Sequence, residues 1–242
     1  MTANEKIPWK RLAVEAAAII GSILLAFAID AWWAEKQERI AEREELSRLY
    51  DEFASNRERL NEWVSADGFM HRIRASSLLV SEILQAAMKG GSQTVLVLDV
   101  QIADLVRSAT FEAETPVYES LVRSGRIEIV ENREIVTAIA IWERSLRNAA
   151  EIEQTRRQFV NNQLLPVLAA RSNIQHVLMN RFVPIQLEPL DPNRMTEIHV
   201  DSLLVNLVGE RSHWEGVALR SLTGVRDTAD DVMSVISESL EQ

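Results

Sequence analysis

The chain has 242 residues and carries 26 Lys and Arg against 36 Asp and Glu, a formal net charge of −10. That balance argues against a nucleic-acid partner, because a phosphate backbone needs clustered cations and the basic residues here, nearly all Arg, are scattered among carboxylates. The absence of Cys excludes disulfides, thiol catalysis and Cys-based zinc or iron–sulfur sites, and only 8 Gly and 6 Pro in an Ala-, Leu-, Glu- and Arg-rich chain favour helices over sheet.

Residues 1–11 read as a short basic tail containing Lys6, Lys10 and Arg11. Residues 12–33 are the segment most suited to a bilayer. At 1.5 Å per residue, Leu12 to Trp33 spans roughly 33 Å, about one hydrocarbon core. Trp9 stands before the segment and Trp32 and Trp33 close it, as interfacial aromatic belts do. A transmembrane helix is therefore expected over 12–33, with residues 34–242 forming one extramembrane helical domain. A cleaved signal peptide competes, since the basic tail and Ala26-Phe27-Ala28 fit that pattern. Glu15 inside the apolar run and the absence of a breaker after Trp33 favour the anchor.

At about 100° per residue, Glu15, Ala18, Ser22, Ala26 and Asp30 fall on one face of that helix, and Ile20, Leu24 and Phe27 point the other way. Small residues allow close helix–helix approach in lipid, and acids within a span favour a protein-facing or aqueous setting. The five residues are the candidate contact face. In the blander reading Glu15 pairs with Arg11, Asp30 reaches the headgroups and the small residues are incidental.

Ala34 to Ala66 reads as a charged amphipathic helix continuous with the span, with Leu46, Leu49, Tyr50, Phe53, Leu60, Trp63 and Val64 at helical spacing and Glu35–Arg39 four apart. Gly68 marks a kink before a helix over Phe69–Ala87, which Lys89-Gly90-Gly91-Ser92 closes. Thr94-Val-Leu-Val-Leu98 is ambiguous. An extended entry to a short helix near Ile102–Ala109 is preferred there over a strand. Thr115 and Pro116 open a helix that ends at Ser124-Gly125, and Glu131 or Asn132 opens a long one that Pro166 should kink or end. Residues 172–200 carry Pro184, Pro189 and Pro192 and read as a long connection with a short helix around Ile174–Arg181. Asp201 to Leu240 forms the last helix, its stripe running through Leu204, Leu207, Trp214, Val217, Leu222, Val225, Val232, Ile236 and Leu240. The expected fold is all-α: an N-terminal transmembrane helix continuing into an antiparallel extramembrane bundle.

Several short motifs resemble a family of uncharacterised bacterial single-pass membrane proteins of the DUF6090 type, a domain of unknown function. They are Glu15…Gly21…Ala26…Asp30-Ala31-Trp32, Leu46…Leu49…Glu52-Phe53…Asn56…Leu60, Tyr118-Glu-Ser-Leu121…Ser124-Gly125-Arg126…Asn132…Ile135, and Leu204…Asn206…Arg211. The anchor departs from the family at Ala31, where members carry Asn. The resemblance implies a single-pass topology and a helical domain; it implies no activity, substrate or catalytic residue.

Catalytic and metal-binding signatures are missing from the sequence. None of His71, His176, His199 and His213 forms HExxH, and no two lie four apart. His199, Asp201 and Ser202 are neighbours, but a triad is assembled by geometry, and Asp201 is better read as the cap of the last helix. Tyr118, Arg123, Arg126 and His199 make a candidate ligand or partner corner around the helix end at Gly125. No enzymatic activity, cofactor or metal is expected. The expected function is that of a scaffold or accessory subunit working through helix–helix and protein–protein contacts. A membrane-anchored ligand-sensing domain is the alternative, and a membrane-anchored hydrolase the third reading. The expected partners are the lipid bilayer and a second copy or another membrane protein. The short basic tail favours a bacterial inner-membrane orientation with a cytoplasmic N-terminus and a periplasmic or extracellular domain.

Overall fold

The computed structural model describes residues 9–126, 132–182, 191 and 193–241. Most of the tail expected over 1–11, Glu131 as a helix opener, and Pro184, Pro189 and Pro192 lie outside the described residues. Helix α1 (Trp9–Val64) is one unbroken rod, joining the apolar segment to the charged one as the lack of any breaker requires. Among its described side chains the first buried is Leu46, after which Leu49, Phe53, Asn56, Leu60 and Val64 face inward. Gly68 then kinks the chain into α2 (Phe69–Lys89), which continues along α8 beyond the stretch that α1 covers. That helix ends as the double glycine predicts. With Gly91 at φ 73°, Ser92 N donates to Ala87 O at 2.9 Å and Gly91 N to Met88 O at 3.3 Å, a Schellman closure.

Residues 94–98 are a strand, not merely an extended entry. Strand β1 (Thr94–Leu98) pairs antiparallel with β2 (Met195–His199), with Thr94 opposite His199 and Leu98 opposite Met195. The long connection expected over 172–200 therefore contains a strand, whose alternating burial puts Thr196 and Ile198 inside. Helix α3 (Asp99–Val106) starts directly at the end of β1 and stops three residues before the expected Ala109, because Arg107 turns extended. An irregular segment, 107–115, leads to α4 (Pro116–Arg123), closed by Gly125 at φ 71°.

Helix α5 (Arg133–Phe159) opens on Asn132, whose side chain accepts from Glu134 N at 2.9 Å. The interruption expected at Pro166 takes the form of a π-helical turn, Val160–Leu164, after which α6 (Leu165–Arg171) carries Pro166 in its first turn, where a missing N–H is tolerated. Helices α7 (Gln175–Phe182) and α8 (Ser202–Glu241) complete the described chain. The fold is thus mostly helical, and the two-stranded sheet is the departure from an all-α domain.

Helix α8 packs on α5, α1 and α2. Its inward stripe is Leu204, Val208, Arg211, Glu215, Ala218, Leu222, Val225, Ala229, Val232 and Ile236, spaced alternately four and three and none more than 1% exposed. Trp214 and Val217, expected in that stripe, are half-buried at its flank. Two apolar cores result. One joins Leu46–Val64 of α1, Ile135–Ala149 of α5 and Ala218–Ile236 of α8. The other joins the end of α2, the sheet, α3, the π turn, α6, α7 and Leu204–Val208 of α8. Between them on α8 lie Arg211 and Glu215, and on α5 Glu153 and Arg156.

Candidate functional site

The apolar part of α1 is covered by nothing in the domain. Ile19, Ile20, Leu24, Leu25 and Phe27 are each 57–66% exposed, and Trp32 and Trp33 are 58% and 54% exposed. Among the described residues this is the helix long and apolar enough to cross a membrane, with a window of mean hydropathy 1.8 and no part of it buried. Glu15, Ala18, Ser22, Ala26 and Asp30 follow one another at three- and four-residue spacing on this single helix, all exposed. The Ser22 hydroxyl donates to Ile19 O at 2.8 Å, so its polar hydrogen is already satisfied within the helix. Beyond the apolar stretch the Lys36 ammonium lies 5.5 Å from the Trp32 ring centre and 6.0 Å from that of Trp33.

The corner suggested around Gly125 is only partly assembled. Tyr118 is half-buried against the first core. Burial and a hydrogen bond to Glu143 push its phenol up to about 12. Arg123 pairs with Glu119 at 2.6 Å and Arg126 with Glu45 at 2.8 Å. His199 belongs elsewhere: it ends β2, opposite Thr94, on the elements of the second core. An open groove of about 480 Å³ over Pro116, Glu119, Ser120, Arg123 and Ser124 runs along the outer face of α4.

The structure's densest chemistry surrounds the irregular segment before α4, whose backbone cannot satisfy itself through helix or sheet. Side chains from three helices do it instead. From α8, Arg211 Nη2 donates to Arg107 O at 2.6 Å; from α5, Arg156 Nη2 donates to Ala109 O at 2.6 Å. Phe111 N donates to both Glu153 oxygens at 3.2 Å. From α1, Arg59 reaches Glu112 O at 2.9 Å, and Asn56 clamps Glu114 from both sides, donating to its carbonyl at 2.6 Å and accepting from its N–H at 2.9 Å. Glu52 finishes the row by accepting from Val117 N at 2.5 Å and Tyr118 N at 3.2 Å, so one carboxylate caps α4.

Behind that segment Glu215 lies between two guanidiniums. Arg156 Nη1 meets its oxygens at 3.1 and 3.0 Å, and Arg211 pairs with it from one turn away on α8. All three side chains are fully buried. Burial pushes the neighbouring Glu153 carboxyl up to about 7, against the lowering effect of Phe111 N–H and Arg156. Of these residues the sequence singled out Arg211 alone, as a motif residue with no role attached. The available signal was the charged pair Arg211 and Glu215 at two consecutive positions of an otherwise apolar stripe.

Another buried carboxylate, Asp99, ties the sheet to α7. It receives Thr196 Oγ1 at 2.7 Å, contacts His176 Nε2 at 2.5 Å and lies 3.3 Å from Arg194 Nε. The neighbours His199, Asp201 and Ser202 do not act as a unit. Asp201 caps α8 by accepting from Leu204 N at 2.9 Å and binds Arg171 at 2.5 Å, and those bonds hold its carboxyl below the usual range. Among the described residues no group of three or more His, Asp or Glu is arranged to hold a metal ion.

No protein-family model, curated protein or solved structure matches the chain. The resemblance to the DUF6090-type proteins rests on the short motifs quoted above alone. Several of these have structural work: Glu52 and Asn56 hold the α4 segment, Gly125 and Asn132 close one helix and open another, and Arg211 belongs to the buried ion-pair layer.

Proposed function

We propose that this is a single-pass membrane protein, related to the DUF6090 type, that serves as a scaffold or accessory subunit. Its α1 anchors in the bilayer, and its domain, an antiparallel bundle around α8, works by protein–protein contact. The observation that carries this reading is the continuity of α1. Its apolar turns are uncovered, and the same helix, without a break, supplies Leu46 to Val64 to the first core. A contact made by the anchor is thereby coupled rigidly to the domain. Helix-to-helix contact along Glu15, Ala18, Ser22, Ala26 and Asp30 joins one copy to another or to a partner subunit, since small residues let backbones approach in lipid. The N-terminus is cytoplasmic, and the domain is on the far side of a bacterial inner membrane.

The test is crosslinking of the full-length chain in native membranes, comparing wild type with Ala18→Leu/Ser22→Leu/Ala26→Leu. The expected result is loss of crosslinked dimers or of co-purifying subunits, with the domain's helical content intact. Association that survives the triple substitution unchanged would sink the contact face. A chain released from membranes by a carbonate wash would sink the anchor.

A further inference from the structure

The charged turns just above the anchor border a cleft of about 670 Å³, within the size range of small-molecule sites. One wall is α1, through Lys36, Arg39, Glu42 and Arg43; the other is formed by Asn132 at the start of α5 and Ser239 near the end of α8. Among the described residues, three cations thus face the cleft against one acid. Each cation is set differently. Lys36 is held over Trp32 and Trp33, and Arg39 is braced by Glu35 at 2.6 Å. Arg43 is exposed and has no carboxylate within salt-bridge distance among the described residues. The positive end of the α5 dipole points to the same space.

Depth completes the argument. At 1.5 Å per residue, Lys36, Arg39 and Arg43 lie about 5, 9 and 15 Å beyond Trp33. The headgroup layer on each side of a bilayer is roughly 5–8 Å thick. With the Trp pair at the interface, Lys36 stands within the headgroup layer, Arg39 at its outer edge and Arg43 above it, so the cleft opens from the headgroups outward. We propose that this cleft holds the headgroup of an anionic phospholipid, its phosphate oxygens taken by Lys36, Arg39 and Arg43. The inference rests on the anchor reading. A lipid seated there sets the domain's height and tilt over the membrane.

The test uses the full-length Trp9→Phe protein in phosphatidylcholine nanodiscs doped with phosphatidylglycerol, either lipid being brominated near the glycerol. Trp63, Trp142 and Trp214 belong to the domain, so quenching reports on Trp32 and Trp33. Brominated phosphatidylglycerol is expected to be enriched at these tryptophans over brominated phosphatidylcholine by roughly fivefold for each engaged cation. Lys36→Gln/Arg39→Gln/Arg43→Gln should erase the enrichment and Arg220→Gln, on α8 away from the cleft, should leave it. Equal quenching by the two lipids, or enrichment that survives the triple substitution, overturns the lipid site and leaves the anchor standing. Enrichment abolished by inorganic phosphate, but not by chloride at equal ionic strength, overturns the lipid in favour of free phosphate. No quenching by either lipid overturns the anchor and the site together.

Discussion

Arg156 Nη1 meets both carboxylate oxygens of Glu215, at 3.1 and 3.0 Å, although neither side chain is exposed at all. A buried ion pair ordinarily contributes little over well-packed apolar residues, and here the remaining donors explain its presence. Arg156 also holds Ala109 O, and Arg211 holds Arg107 O, on a segment with no secondary structure of its own. Glu215→Leu is expected to cost about 3–5 kcal/mol, read from the urea midpoint, because two buried guanidiniums lose their carboxylate. The apolar pair Arg156→Met/Glu215→Leu should not recover that loss, since Ala109 O is left unpaired. Wild-type stability in the double variant would show that the layer is not there to satisfy the segment.

Glu153 gives the stability a pH dependence of calculable sign. Its carboxyl is raised from 4.5 to about 7, chiefly by burial, so the folded state binds the proton more tightly than the unfolded chain. The contribution is fully present below about pH 4.5 and is lost as pH rises through 7, a change of about 3 kcal/mol at 1.36 kcal/mol per pKa unit. Glu52 is raised by burial too and adds a slope of the same sign; Asp201, lowered by Arg171, adds the opposite one at more acid pH. Glu153→Gln keeps an oxygen for Phe111 N–H and removes the titration. Its melting temperature should vary less with pH between 5 and 8 than that of wild type. Equal slopes for the two proteins would mean that the buried carboxyl stays charged throughout.

The helices were largely legible because their signals are local. Period and capping residues mark α1, α2, α4, α5 and α8, and Gly91, Gly125, Asn132 and Asp201 sit where left-handed turns and caps require them. The two-stranded sheet was not, because β1 and β2 lie far apart in the chain and each is too short to show a period. The ion-pair layer was hidden for a different reason. Arg211 and Glu215, four apart, look like a solvated helix pair, and only the neighbouring stripe positions, Val208 and Ala218, show that they face inward. His199 entered the corner by chemical type alone; its pairing with Thr94 puts it on the other core.

Asn56 is the most consequential single polar residue of α1. It is 1% exposed and satisfies both backbone groups of Glu114 across 58 residues of sequence. Asn56→Ala leaves that donor and acceptor without partners and should cost about 1–3 kcal/mol. Amide exchange should rise first at Glu114, then at Val117 and Tyr118 as the Glu52 cap loosens, while α8 stays protected. Uniform acceleration across the domain would indicate a global loss of stability and no local role.

Two glycines should respond in opposite directions to the same substitution. A Cβ at Gly68 would stand 2.8–2.9 Å from the carbonyl oxygens of Trp63, Glu62 and Ser65, all backbone atoms that cannot move aside cheaply. Gly68→Ala must therefore displace the kink between α1 and α2, at a cost of about 1–3 kcal/mol, typical of overpacking. Gly224 lies inside α8 with nothing within 4 Å of its Cβ position. There Gly224→Ala restricts the unfolded chain and favours helix, a gain of about 0.5–1 kcal/mol. Denaturation of both variants beside wild type checks the pair. A neutral Gly68→Ala would mean that the α1–α2 kink relaxes freely around the added methyl group.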